Sequence, residues 1–201
     1  MLQLSLLIPT IKSREVLRQR LLDVLYPQIN DVHEYVELLI DEDDGEVSIG
    51  AKRNRLVSRA RGQFVAFIDD DDLVDQNYVR RIALSLEYGA DVDCVGFKMR
   101  RFSNGRDIGE GINSLAVGRY FTDKHPADPN RTIYYRTPNH LNPVRREIAK
   151  RHPFPNQNFA EDSAYAAAIL PELKRELFIN EYLYFYYYRT PLNRAGERTN
   201  A

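Results

Sequence analysis

Cysteine occurs once in the 201 residues, at Cys94. One thiol excludes an internal disulfide and fits a reducing compartment. Nothing around Cys94 argues for a nucleophile, so it reads as a small core residue. Long apolar runs are missing too, and none approaches the roughly 20 residues of a membrane-spanning helix. The opening MLQLSLLIP is too short for a secretory signal and lacks its basic start. These absences point to a cytoplasmic protein. Neither charge sign is in real excess: 28 Lys plus Arg stand against 29 Asp plus Glu, a formal net charge of −1. No bulk field then draws the chain to nucleic acid or membrane, and an anionic ligand needs a local site. Internal repeats and low-complexity segments are absent.

What is present is a chain long enough for one domain with a sizeable core, 43% hydrophobic and 28% charged. Leu2, Leu4, Leu6 and Ile8 alternate with polar residues in a strand that stops at Pro9. Ser13 then caps a helix with Leu17, Leu21, Val24 and Leu25 on one face. YVELLI (35–40) is a second strand, followed by the acidic turn DEDDG, and a helix follows over about 50–60. QFVAFI (63–68) is apolar throughout, as a strand covered on both faces would be. A helix over about 75–88 and the short strand DVDCVGF complete this half.

Alternating strands and helices predict an α/β fold with a mostly parallel central sheet flanked by helices. From Lys98 to Pro143 frequent Gly and Pro predict loops or short strands. Helices are expected again near 144–151 and 161–170, then the final strand EYLYFYYYR.

In parallel sheets ligands bind at the carboxyl ends of the strands. Those ends are Pro9-Thr10, Asp41 to Asp44, and Asp69 to Asp72. The last is FIDDDD, four carboxylates in a row behind a core strand. Neighbouring charges about 4 Å apart repel by roughly 1 kcal/mol in water and about 4 kcal/mol near a protein surface. Either the four are solvated, with one capping the next helix, or they meet a hard divalent cation through oxygen ligands.

Arg53 projects into the apolar stripe formed by Ile49, Leu56, Val57 and Ala60. A buried guanidinium needs an anion, here a neighbouring Asp or a ligand. Lys52, Arg55 and Arg59 lie off the stripe and are expected on a solvated face.

The order of these pieces resembles the family 2 glycosyltransferases, which have the Rossmann-like nucleotide-sugar fold called GT-A. LLIPT, LLIDEDDG, IGAKRNRLVSRARGQFVAFIDDDD and NFAEDSAYA follow the family's order and strand context. The likeness covers most of 2–93 and about 139–189. It implies a single domain whose residues 1–97 bind a nucleotide diphosphate sugar, a uridine diphosphate sugar foremost. Residues 98–201 would bind the acceptor and carry the catalytic base.

Pro9, Thr10, and Asp41 or Asp43 would hold nucleobase and ribose, with Asp69 near the ribose and Asp70 beside it. Lys52 and Arg53 are further candidate donor contacts. Asp71 would coordinate Mn²⁺ or Mg²⁺, supported by Asp72 through water. Asp162 matches the general base, with Glu161 its neighbour. The inserted Glu42-Asp43 departs from the usual Asp-Asp-Gly-Ser, so the carboxylate at the base is left open. An acid in a helix's first turn also stabilises the helix dipole without any chemistry.

His140 is a candidate for the acceptor or metal site and Arg189 for the diphosphate. His33, His125 and His152 read as incidental. Tyr182, Tyr184, Tyr186 and Tyr188 share one face of the last strand, with Leu183, Phe185 and Tyr187 opposite.

Two rivals stand beside this reading. A metal-dependent nucleotidyltransferase would use a similar cluster, but PTIKSRE lacks the Gly-rich phosphate loop. A non-catalytic nucleotide-sugar or Ca²⁺ module is the other, although DDDDLVDQNYVRR lacks the glycine and terminal Glu of an EF-hand loop. The acceptor class is open: a saccharide, a lipid-linked glycan, a protein hydroxyl or a modified DNA base. Net charge does not indicate nucleic acid.

Overall fold

A computed structural model describes residues 2–88 and 91–188, apart from the side chain of Tyr88. The elements in chain order are β1 (Leu4–Ile11), α1 (Glu15–Asn30), β2 (Val36–Asp43), α2 (Ile49–Arg59), β3 (Phe64–Phe67), β4 (Leu73–Val74) and α3 (Tyr78–Tyr88). Then follow β5 (Cys94–Ser103), β6 (Arg106–Asn113), β7 (Phe121–His125), β8 (Asp128–Arg136), β9 (Val144–Arg145), α4 (Arg146–Arg151), α5 (Glu161–Ile169) and β10 (Glu176–Tyr188).

One mixed sheet runs β2-β1-β3-β9-β5-β6-β8-β7, with β10 parallel to β5 and β4 against β10. The strands β2-β1-β3 are parallel throughout, and β6-β8 forms a further parallel pair. Strand β1 sends Leu4, Leu6 and Ile8 into a core shared with α1 and α3, and Leu7 into a second core with α2, α4 and α5. Strands buried on both faces must be apolar throughout, and β3 is wholly buried. Each Leu or Phe so buried contributes about 1.5–3 kcal/mol.

Three expectations need correcting. The segment after Lys98 is more regular than expected: β5 pairs β6 and β7 pairs β8 in two hairpins, with irregular chain between the hairpins and after Arg136. Within the strands Gly109 and Gly111 mark close approach to a neighbour, while Gly105 and Gly118 take positive φ between strands with open space around them. A Cβ on Gly109, which has φ +140, would sit 2.0 Å from the Thr132 carbonyl oxygen. Ser13 caps nothing: it lies within a single 3₁₀ turn, Lys12–Arg14, and the position before α1 is Arg14. The alternation along the last strand is broken by register shifts between Ile179 and Tyr184, so Leu183 and Tyr184 are both buried.

Candidate active site

The parallel strands bring their carboxyl ends to one rim. Pro9 pairs in register with Asp41 and Ile11 with Asp43, while Leu7 pairs with Phe67 at the end of β3. The chain leaves β3 directly into Asp69 to Asp72, and the structure disperses these four carboxylates.

Asp69 accepts from Arg53 Nη2 at 2.9 Å, and its other oxygen lies 3.4 Å from His140 Nε2. Burial opposes its charge, but Arg53 and His140 outweigh burial and hold the carboxyl well below the usual range. Asp70 is buried, accepting from Thr10 Oγ1 at 2.6 Å and Arg14 Nη1 at 2.7 Å. Asp71 stays partly open, with Arg14 Nη1 at 3.8 Å. Asp72 turns into the protein, accepting from Tyr184 Oη at 2.8 Å and the Tyr187 N–H at 2.7 Å. Burial, then the nearby Asp69 charge, raises its pKa.

On the β2 side, Asp41 takes a two-pronged pair from Arg55, Nε at 2.8 Å and Nη2 at 2.7 Å. Asp43 binds the Lys52 ammonium and accepts the N–H groups of Gly45 and Val47. Chiefly through the Lys52 bond, its pKa falls to about 2. Lys52 also donates to the Thr10 carbonyl at 2.7 Å and is 3% exposed. The expected solvated face therefore holds for Arg55 and Arg59 but not for Lys52, which β2 draws inward.

Across the rim lies a cleft of about 860 Å³, lined by Arg53, Asp69, His140, Glu161 and Asp162 among others. Arg53 is buried on α2, between the rings of Phe67 and Phe154, with Nε 3.4 Å from Glu161 Oε1. The backbone before α5 presses on α2, where a Cβ on Gly50 would come within 1.8 Å of the Pro155 carbonyl oxygen. Ala160 precedes α5 in the left-handed region, φ 59, and offers no side-chain cap.

Asp162 Oδ1 accepts from the Ser163 N–H at 2.7 Å, and Oδ2 lies 3.7 Å from Arg136 Nη2 and 4.0 Å from His140 Nδ1. His140 is buried; burial, then Arg53, lowers its pKa, while Asp69 and Asp162 oppose that shift. One imidazole thus stands between Asp69 on the rim and Asp162 on α5.

The sequence profile described as glycosyl transferase family 2 matches residues 38–152, more than half of the chain. The chain belongs to this family.

The fold of this family 2 member is similar to that of S. aureus TarS 1–349, with TM-score 0.65 at 19% identity over 92% of this chain and 60% of that one. TarS 1–349 with UDP-GlcNAc gives TM-score 0.66 at 18% identity, over 94% and 59%. The mannosyltransferase PcManGT of Pyrobaculum calidifontis, with GDP-Man and Mn²⁺, gives 0.55 at 16% identity, over 96% and 58%. The chain therefore spans about three fifths of the length of these proteins. No curated protein matches it in sequence.

Among the described residues no group of three or more His, Cys, Asp or Glu converges on a metal position. A cation bound here would draw on Asp71, beside an ionised Asp69, with the remaining ligands from substrate phosphates. Mg²⁺ commonly takes one or two carboxylates in this way, so the donor set fits.

Arg189 lies outside the described residues. Sequence reasoning missed Arg14, Arg101, Arg119 and Arg136. The last three sit in the 98–138 segment, where strand partners rather than local pattern define position. No helix among the described residues is long and apolar enough to cross a membrane.

Proposed function

We propose that this chain is an inverting glycosyltransferase that moves a hexosyl or pentosyl group from a uridine diphosphate sugar to an acceptor hydroxyl, in the cytoplasm. The observation that carries this reading is His140, with Asp69 at 3.4 Å on one side and Asp162 at 4.0 Å on the other. A donor-side carboxylate and a helix-borne carboxylate thereby face one cleft. Residues 1–97 serve the donor and residues 98–201 the acceptor and base. The neighbours with UDP-GlcNAc and GDP-Man support a nucleotide-sugar donor on this fold.

Asp162 takes the proton of the acceptor hydroxyl, a role worth roughly 10²–10⁴ in rate. The freed oxygen forms its bond to the anomeric carbon from the face opposite the diphosphate. The bond from that carbon to the leaving oxygen breaks, which inverts the centre and releases the nucleoside diphosphate. Asp69, with Thr10, Asp41 and Asp43 along the rim, positions the nucleoside. Glu161 holds Arg53, and Arg53 holds Asp69. A divalent cation at Asp71, Mn²⁺ or Mg²⁺, would neutralise charge on the departing diphosphate.

Product analysis tests the reading. Release of UDP with an inverted anomeric centre by NMR supports it. Pyrophosphate release would make the chain a nucleotidyltransferase, and tight binding without turnover a non-catalytic module.

A further inference from the structure

The cleft has two unlike walls. The α5 wall presents Glu161 and Asp162; the opposite wall, from β5, β6, β8 and the turn before β7, presents Arg101, Arg119 and Arg136. Among the described residues Arg136 is the one of the three that reaches a carboxylate, Asp162 at 3.7 Å. Arg101 lies over the Tyr134 ring at 3.4 Å, and its buried Nη1 has no hydrogen-bond partner among the described residues. Arg119 is exposed on its turn. Asn113, wholly buried at the same wall, has neither amide atom paired among the described residues.

The contrast with the acidic rim is informative. Asp69, Asp70 and Asp72 are each matched by protein donors, whereas among the described residues Arg101 and Arg119 meet no carboxylate. Like charges on one wall repel unless an anion joins them. A guanidinium is the side chain suited to grip carboxylate or phosphate in a two-pronged way. Tyr120, Tyr134 and Tyr186 line the same space and offer faces for a sugar ring.

We propose that the acceptor is a saccharide carrying a carboxylate or phosphate near its reacting hydroxyl, with Arg101 and Arg119 binding that anion across the cleft from Asp162. The inference rests on the glycosyltransferase reading. In it, the hydroxyl lies against Asp162 and Arg136 spans the gap between base and anion.

The test is calorimetric titration of the intact chain, saturated with UDP and Mn²⁺, with glucuronate, glucose 6-phosphate and neutral methyl glucoside. The anionic probes should bind about tenfold or more tightly than the neutral one. Whichever anion gains more identifies the group. Arg101→Ala and Arg119→Ala should each erase most of that gain, Arg119→Lys should restore part of it, and UDP affinity should hold. Because Arg119 is exposed, its variants keep the fold.

Equal binding of neutral and anionic probes, or none of either, overturns the inference. So does loss of UDP affinity in both alanine variants with no saccharide present, which would give the arginines to the donor diphosphate and leave the transferase reading intact. Failure of the wild type to bind UDP at all would remove that reading and this inference with it.

Discussion

Arg53 on α2 reaches Asp69 at the end of β3, Nη2 to Oδ1 at 2.9 Å, with its side chain 2% exposed. The contact ties a helix to the rim, and the same guanidinium meets Glu161 at the head of α5. Arg53→Met should therefore cost about 3 kcal/mol, since two carboxylates lose their partner, softened by the 23% exposure of Asp69. Arg53→Lys should not rescue it, because an ammonium cannot span both acids. Denaturant melts check this, and an unchanged midpoint for both variants would refute it.

Asp162→Asn should keep the melting temperature and UDP affinity yet lose transfer by about 10²–10⁴. The amide oxygen can still accept from the Ser163 N–H, but it cannot take a proton at neutral pH. A capping acid alone contributes about 0.3–1 kcal/mol and would leave turnover near normal. Transfer rate read beside melting temperature separates the two, with slow donor hydrolysis as the readout until an acceptor is in hand.

Asp71 and Asp72 should part company. Asp72 has both oxygens engaged by β10, through Tyr184 and Tyr187, whereas Asp71 stays partly open. Asp71→Asn should weaken UDP binding in Mn²⁺ by about tenfold or more, a charge-assisted contact being lost. Asp72→Asn should change it little. Calorimetry giving the reverse order would place the cation on Asp72.

The acid limb of stability should carry a contribution from Asp43. Its pKa drops from 3.8 to about 2 on folding. A depressed carboxylate stabilises fully above its unfolded value and loses that contribution as pH falls through the folded one. Between about pH 4 and pH 2, Asp43→Asn should show a shallower fall in melting temperature than wild type. Parallel slopes for the two proteins would contradict the Lys52 bond as its cause.

Several parts of this protein were legible in the sequence alone. The alternation of Leu4, Leu6 and Ile8, the unbroken apolar run of β3 and the helical stripe around Leu56 follow from side-chain period. Period is a local property of the chain, so these elements and the rim at their ends could be read directly. The partners of the rim carboxylates could not. Asp70 is matched by Arg14 across 56 positions, Asp69 by His140 across 71, and Asp72 by Tyr184 across 112. An unbroken row of four Asp reads as one charge cluster. Only the folded chain, by aiming successive side chains at different elements, divides it among Arg53 and His140, Arg14, and β10. The hairpins of 98–136 were decided the same way: Gly109 looks like a break locally, yet it is a space where the neighbouring strand closes in.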